Sequence, residues 1–209
     1  MKYLWTEDTG AGLHFWKLVN QLFFKNALGV ESKGSNQELL DAVSELKIKE
    51  DDKYYIAFDY VVDNQDIRNK YRMLKSVAKK AEGKIIILDM ICFEYLILSF
   101  DKLVAWTGTG KTDKLKIYED VLAAVEDHRI NLSKIDDEKT LRYLSSFKRY
   151  STERVMKSLV GEFTQMRNGR LKVYLWGNVG IKIAVCQNTK IVFDVANQKL
   201  RMVVRRCEY

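Results

Sequence analysis

The sequence has no proline, two histidines and three cysteines in 209 residues. Cys92, Cys186 and Cys207 are odd in number, far apart and without a Cys-x-x-Cys pair. That excludes a disulfide or zinc framework and reads as the reduced thiols of a cytoplasmic protein. His14 and His128 are too few and too distant for a zinc site or a catalytic triad. Long apolar runs are missing too. The most apolar stretch, IIILDMICFEYLILSF (85–100), carries Asp89 and Glu94 and falls short of the roughly 20 residues a membrane-crossing helix needs. The opening MKYLWTED turns acidic too soon for a signal peptide. No internal repeat or low-complexity linker appears, and no partner in a membrane is expected.

What is present is an ordinary globular composition, 47% hydrophobic and 30% charged, with an uneven charge. Residues 1–100 hold 14 Lys/Arg and 15 Asp/Glu, net −1; residues 101–209 hold 21 and 13, net +8. Between Arg142 and Arg206 there are 14 basic and 3 acidic residues. A neutral front and a basic back point to a polyanionic partner, most often nucleic acid, RNA or DNA.

The first hundred residues alternate between two periods. YLWTE (3–7), ALGVES (27–32), YYIAFDYVV (54–62) and KIIILDM (84–90) read as strands. LHFWKLVNQLFF (13–24), a helix capped by Ser35 or Asn36, and DIRNKYRMLKSVAKKA (66–81) read as helices. This alternation predicts an α/β fold, a mostly parallel sheet with helices on its faces. KLKIYEDVLAAVEDHRI and DEKTLRYLSSFKRYSTERVMKSLVGEFTQM then predict a helical segment, with no proline to break either run. LKVYLWG (171–177), GIKIAVC (180–186), KIVFDVA (190–196) and KLRMVVRRC (199–207) predict a small antiparallel β-meander. The expected division is an α/β domain over 1–112 and a basic helical-plus-meander region over 113–209.

In open parallel sheets the working groups stand at the carboxyl ends of strands. Glu7, Asp59 and Asp63 fall there, and such carboxylates suit Mg²⁺ or Mn²⁺, which can orient a phosphodiester and activate water. If 59–63 stayed extended, the two Asp residues would stand about 13 Å apart. They can share a metal only if the chain bends after Asp59. Asp63 also suits a cap for the helix that follows.

A strand ending in Glu, a Gly-containing turn and helix, a second βα unit and a strand ending in FDYVVD resemble the TOPRIM domain of topoisomerases, primases and OLD-type nucleases. CFEYLILSF (92–100) is similar to the Phe-Glu-aromatic helix of the RloB branch. The resemblance covers roughly residues 1–100. It implies Glu7 as general acid/base or metal ligand, Asp59 and Asp63 as Mg²⁺ ligands, and Glu94 as a secondary candidate. It further implies a nuclease acting as a toxic effector in antiviral defence, with a regulatory or sensor protein as partner. Two features depart from the pattern. Glu7 is followed by Asp8-Thr9-Gly10 rather than directly by Gly, and the second Asp lies at 63 instead of 61.

AWTGTGKT (105–112) offers a competing reading as a nucleotide phosphate loop through Gly108, Gly110, Lys111 and Thr112, with Ala105 in place of the first Gly. LVAW is a poor substitute for the long strand such a loop follows. As a turn, the segment leaves Lys111 and Lys114 to touch a nucleic-acid backbone. Arg149, Arg154, Lys157, Arg167 and Arg170 are further candidates for phosphate contacts, which position without reading sequence. The aromatic stripe Phe15, Trp16, Phe23 and Phe24 has the spacing of a core-facing helix. A third reading is a non-catalytic nucleic-acid- or partner-binding module on a degenerate TOPRIM scaffold.

Overall fold

The computed structural model describes residues 1–99, 112–165, 189–194 and 199–204. Four short strands, β1 (Lys2–Thr6), β2 (Gly29–Ser32), β3 (Lys53–Ala57) and β4 (Ile85–Ile87), form an all-parallel sheet in the order β2-β1-β3-β4. Helices α1 (Gly10–Phe24), α2 (Asn36–Ser44) and α3 (Gln65–Lys80) make the crossovers. These elements, with α3 from Asn69 onward, belong to a first compact unit, residues 1–59 and 69–90 with the antiparallel pair β7 (Thr189–Asp194) and β8 (Lys199–Val204).

Local chemistry explains the helix limits. Ser35 Oγ accepts the Glu38 N–H at 3.2 Å and caps α2, which buries Leu39, Leu40 and Val43. Each such burial stabilises the unit by about 1.5–3 kcal/mol. At the end of α1, Lys25 and Asn26 take left-handed backbone conformations. The buried Asn20 amide then donates to the Leu28 carbonyl at 2.8 Å and accepts its N–H at 3.1 Å, fixing the entry into β2.

The second unit comprises residues 60–68 and the chain from 91 to 172. It contains α4 (Phe93–Leu98), α5 (Thr112–Ala124), the two-residue strands β5 (Val125–Glu126) and β6 (Arg129–Ile130), a 3₁₀ turn (Leu132–Lys134), α6 (Glu138–Ser145) and α7 (Thr152–Gln165). Its core joins Cys92, Leu98, Tyr118, Val121, Leu144, Val155, Met156 and Leu159. Helix α4 therefore packs in this unit, and the contacts do not divide the chain at residue 112. The reason is apolar complementarity: α4 lies against α7.

Both long helical runs are interrupted. The first stops at Ala124, where Asp127 and His128 take positive φ and close the β5–β6 hairpin as a two-residue turn. The second divides at 146–151. Asp137 caps α6 by accepting the Thr140 N–H at 2.8 Å. Of the four meander strands, the last two are present as β7 and β8, while 171–177 and 180–186 lie outside the described residues. Among the described residues no helix is long and apolar enough to cross a membrane.

Candidate active site at the carboxyl edge of the sheet

Strand β1 lies between β2 and β3, so the chain leaves β1 towards one side of the sheet and returns on the other. This is the switch point of an open α/β sheet, where the carboxyl ends of adjacent strands enclose a crevice. Thr6 pairs with Ala57, so Glu7, the first residue beyond β1, and Asp59, the second beyond β3, emerge on neighbouring strands. The geometry joins them directly: the Asp59 N–H donates to Glu7 Oε1 at 3.0 Å. Both side chains are half-buried.

Asp8, which nothing in the sequence singles out, braces this turn. Its Oδ2 accepts the buried Thr6 hydroxyl at 2.7 Å and the Trp16 indole N–H at 2.8 Å, and its N–H donates to Thr6 Oγ1 at 3.0 Å. Helix α1 is thereby tied to the end of β1. A Cβ on Gly12 would lie 2.6 Å from the Asp8 Cβ, so only glycine lets the helix approach this closely. Gly10 is needed for a different reason, its left-handed φ of 48°. The turn between β1 and α1 therefore rests on two separate glycine constraints. Of the aromatic stripe only Trp16 is buried in the core, while Phe15, Phe23 and Phe24 are half-buried, and His14 is exposed.

Asp63 belongs to the second unit. Its Oδ2 accepts the Thr152 N–H at 2.6 Å, capping α7 from 89 residues away. The neighbouring Val62 N–H donates to the His128 carbonyl at 3.2 Å, and the Tyr60 and His128 rings lie 4.8 Å apart. Asp63 is thus a cap, but of α7; the start of α3 is capped by Asn64, whose Oδ1 accepts the Asp66 N–H at 3.0 Å. The Asp63 carboxylate and desolvation together push the Tyr150 phenol well above its ordinary range, desolvation being the larger cause. Among the described residues no group of three or more His, Cys, Asp and Glu side chains could hold a metal ion. The donor set the first unit offers is two hard carboxylates, which suits Mg²⁺ because that ion keeps several waters and takes one or two protein carboxylates.

Glu94 lies half-buried on α4 in the second unit. Burial pushes its carboxyl above the usual range; hydrogen bonding at its own backbone, the Lys157 ammonium and the Cys92 thiol oppose this, and Glu153 adds to it. A raised carboxyl disfavours the charged form in the folded state. The penalty is absent below the unfolded value and fully present above the raised one. Glu94→Gln is therefore expected to raise the melting temperature at about pH 8 and leave it unchanged at about pH 4. An equal change at both pH values would show that ionisation is not what burial penalises here.

The candidate basic residues stand differently. Arg149, Arg154 and Lys157 are exposed, but Lys157 pairs with Glu153 and Arg154 Nη1 donates to the Arg149 carbonyl at 3.4 Å. Thr112 opens α5, as a phosphate loop would require, and Lys114 lies in its first turn. Gly108, Gly110, Lys111, Arg167 and Arg170 lie outside the described residues. No family model, curated protein or solved structure matches this chain.

Proposed function

We propose that the chain is a metal-dependent nuclease that hydrolyses phosphodiester bonds with Glu7 and Asp59 as its central carboxylates. The observation that carries this reading is the Glu7–Asp59 contact at the switch point between β1 and β3. Mg²⁺ or Mn²⁺ bound by these carboxylates would supply charge neutralisation at the phosphate and a water of lowered pKa. Asp59 is the better ligand, since it emerges beside Glu7 on the adjacent strand. Glu7 would serve as the base that takes a proton from the attacking water. Water oxygen would bond to phosphorus as Glu7 takes its proton, the bond from phosphorus to the leaving ribose or deoxyribose oxygen would break, and solvent would protonate that oxygen. The basic second half of the chain supports a polyanionic substrate.

The test is incubation with RNA, single-stranded DNA and duplex DNA in Mg²⁺, Mn²⁺ or chelator. Cleavage is expected with either metal and is expected to vanish with chelator or with Asp59→Asn. Cleavage unaffected by Asp59→Asn removes the proposal; nucleotide turnover lost only in Lys111→Ala favours the phosphate loop instead. The same assay decides the part played by Asp63. Asn and Asp cap helices about equally well, whereas loss of the cap costs about 0.5–2 kcal/mol. Asp63→Asn is expected to preserve both cleavage and stability, and Asp63→Ala to lower stability. A folded but inactive Asp63→Asn protein would make Asp63 a metal ligand.

A further inference from the structure

Helix α3 carries six cations, Arg68, Lys70, Arg72, Lys75, Lys79 and Lys80, against the single carboxylate of Asp66. The net charge of −1 over the first hundred residues conceals this concentration. Arg72, Lys75 and Lys79 are spaced by three and four residues, which places them in one row along the helix. The row spans about 10.5 Å at 1.5 Å per residue. All three are exposed, while Tyr71 and Leu74 turn inwards. The Lys75 ammonium rests 4.7 Å above the Tyr71 ring, which keeps it beside the row.

Three cations on the other described helices are neutralised locally. Lys116 pairs with Asp120, Arg142 with Glu138 and Lys157 with Glu153, each four residues apart. Among the described residues no carboxylate stands within ion-pair distance of Arg72, Lys75 or Lys79. Lys79 and Lys80, in the last turn, are accounted for by the negative end of the helix dipole. Arg72 and Lys75 lie mid-helix and have no such compensation. Like charges three and four apart destabilise a helix. A row of this kind is relieved by a polyanion laid along it.

We propose that the exposed row Arg72–Lys75–Lys79 on α3 is a nucleic-acid backbone-binding surface that contacts phosphates without reading sequence. It shares the nucleic-acid part of the reading above but not its chemistry, and it stands whether or not the chain cuts what it binds. A duplex presents one negative charge per about 1.7 Å of axis, so a row of this length meets several phosphates.

The test compares Arg72→Gln/Lys75→Gln/Lys79→Gln with a control of equal charge, Lys2→Gln/Lys17→Gln/Lys47→Gln, whose residues are also exposed. Binding of fluorescent RNA, single-stranded DNA and duplex DNA is followed from 50 to 300 mM salt in chelator, so that cleavage plays no part. The row variant is expected to bind about 10- to 100-fold more weakly at 0.1 M salt, with a salt slope lower by about 2–3 on duplex DNA. The control is expected to change little. The row variant should remain folded with a melting temperature close to the parent's, because relief of like-charge repulsion offsets the lost Lys75–Tyr71 contact and the dipole contribution of Lys79. Equal loss in both variants would show that net charge alone governs binding and would overturn the proposal. Absence of binding by the parent protein would also overturn it, as would row-dependent binding only to anionic lipid vesicles or polyglutamate. If the row governs binding while no metal supports cleavage, the nuclease fails and the surface remains.

Discussion

Glu7→Gln is expected to lower metal-dependent cleavage by about 10²–10⁴-fold, the range supplied by a positioned general acid or base. Glutamine keeps a carbonyl oxygen at the position of Oε1, so the hydrogen bond from the Asp59 N–H survives while the negative charge is lost. The melting temperature should hardly move. Glu7→Ala removes the acceptor as well and should cost a further 0.5–1.5 kcal/mol or so in stability. Together the two variants separate charge from positioning. If Glu7→Gln cleaves like the parent protein and only Glu7→Ala fails, Glu7 merely holds the turn at Asp59 in place. The measurements are cleavage rates at saturating Mg²⁺ and thermal melts on the same preparations.

Phe58→Ala is the second large effect, and it acts through packing. Phe58 is fully buried immediately before Asp59, with its ring 5.8 Å from that of Tyr71 on α3. Truncating a buried phenylalanine costs about 3–5 kcal/mol, part lost transfer energy and part residual cavity. The same change loosens the anchor of the Asp59 backbone, so cleavage should fall as well. Phe58→Leu, which refills most of the volume, is expected to recover the greater part of both. Urea unfolding with and without Mg²⁺ checks the assignment; a loss below about 1 kcal/mol would show that the site collapses around the missing ring.

The parallel sheet was legible because its signals are local. Short apolar strands, Ser35 before Asn36-Gln37-Glu38, and helical spacing from Leu13 to Phe24 all agree with one another. The positions of Glu7 and Asp59, each just past the end of a strand, are legible for the same reason. Interruptions in the second half were not legible, because no proline marks them. The hairpin at Asp127-His128 depends on two residues adopting positive φ, and the start of α7 is fixed by Asp63, a partner far away in sequence. Asp8 carries no signal in the sequence, because its role requires Trp16 to return over the turn. The α3 row is hidden in any sum of charge, because acidic residues elsewhere in the first hundred cancel it.

The outer members of the parallel sheet, β2 and β4, are four and three residues long. Beside β2, Lys33 donates an ion pair to Glu31 at 2.7 Å and places its ammonium 3.8 Å from the Trp5 ring. Strand edges recruit other chains when they are long, flat and uncharged. Here a stray segment would find only a few backbone groups to zip onto, and on one side a fixed pair of charges to displace. The edges of the parallel sheet should consequently be poor templates for added strands.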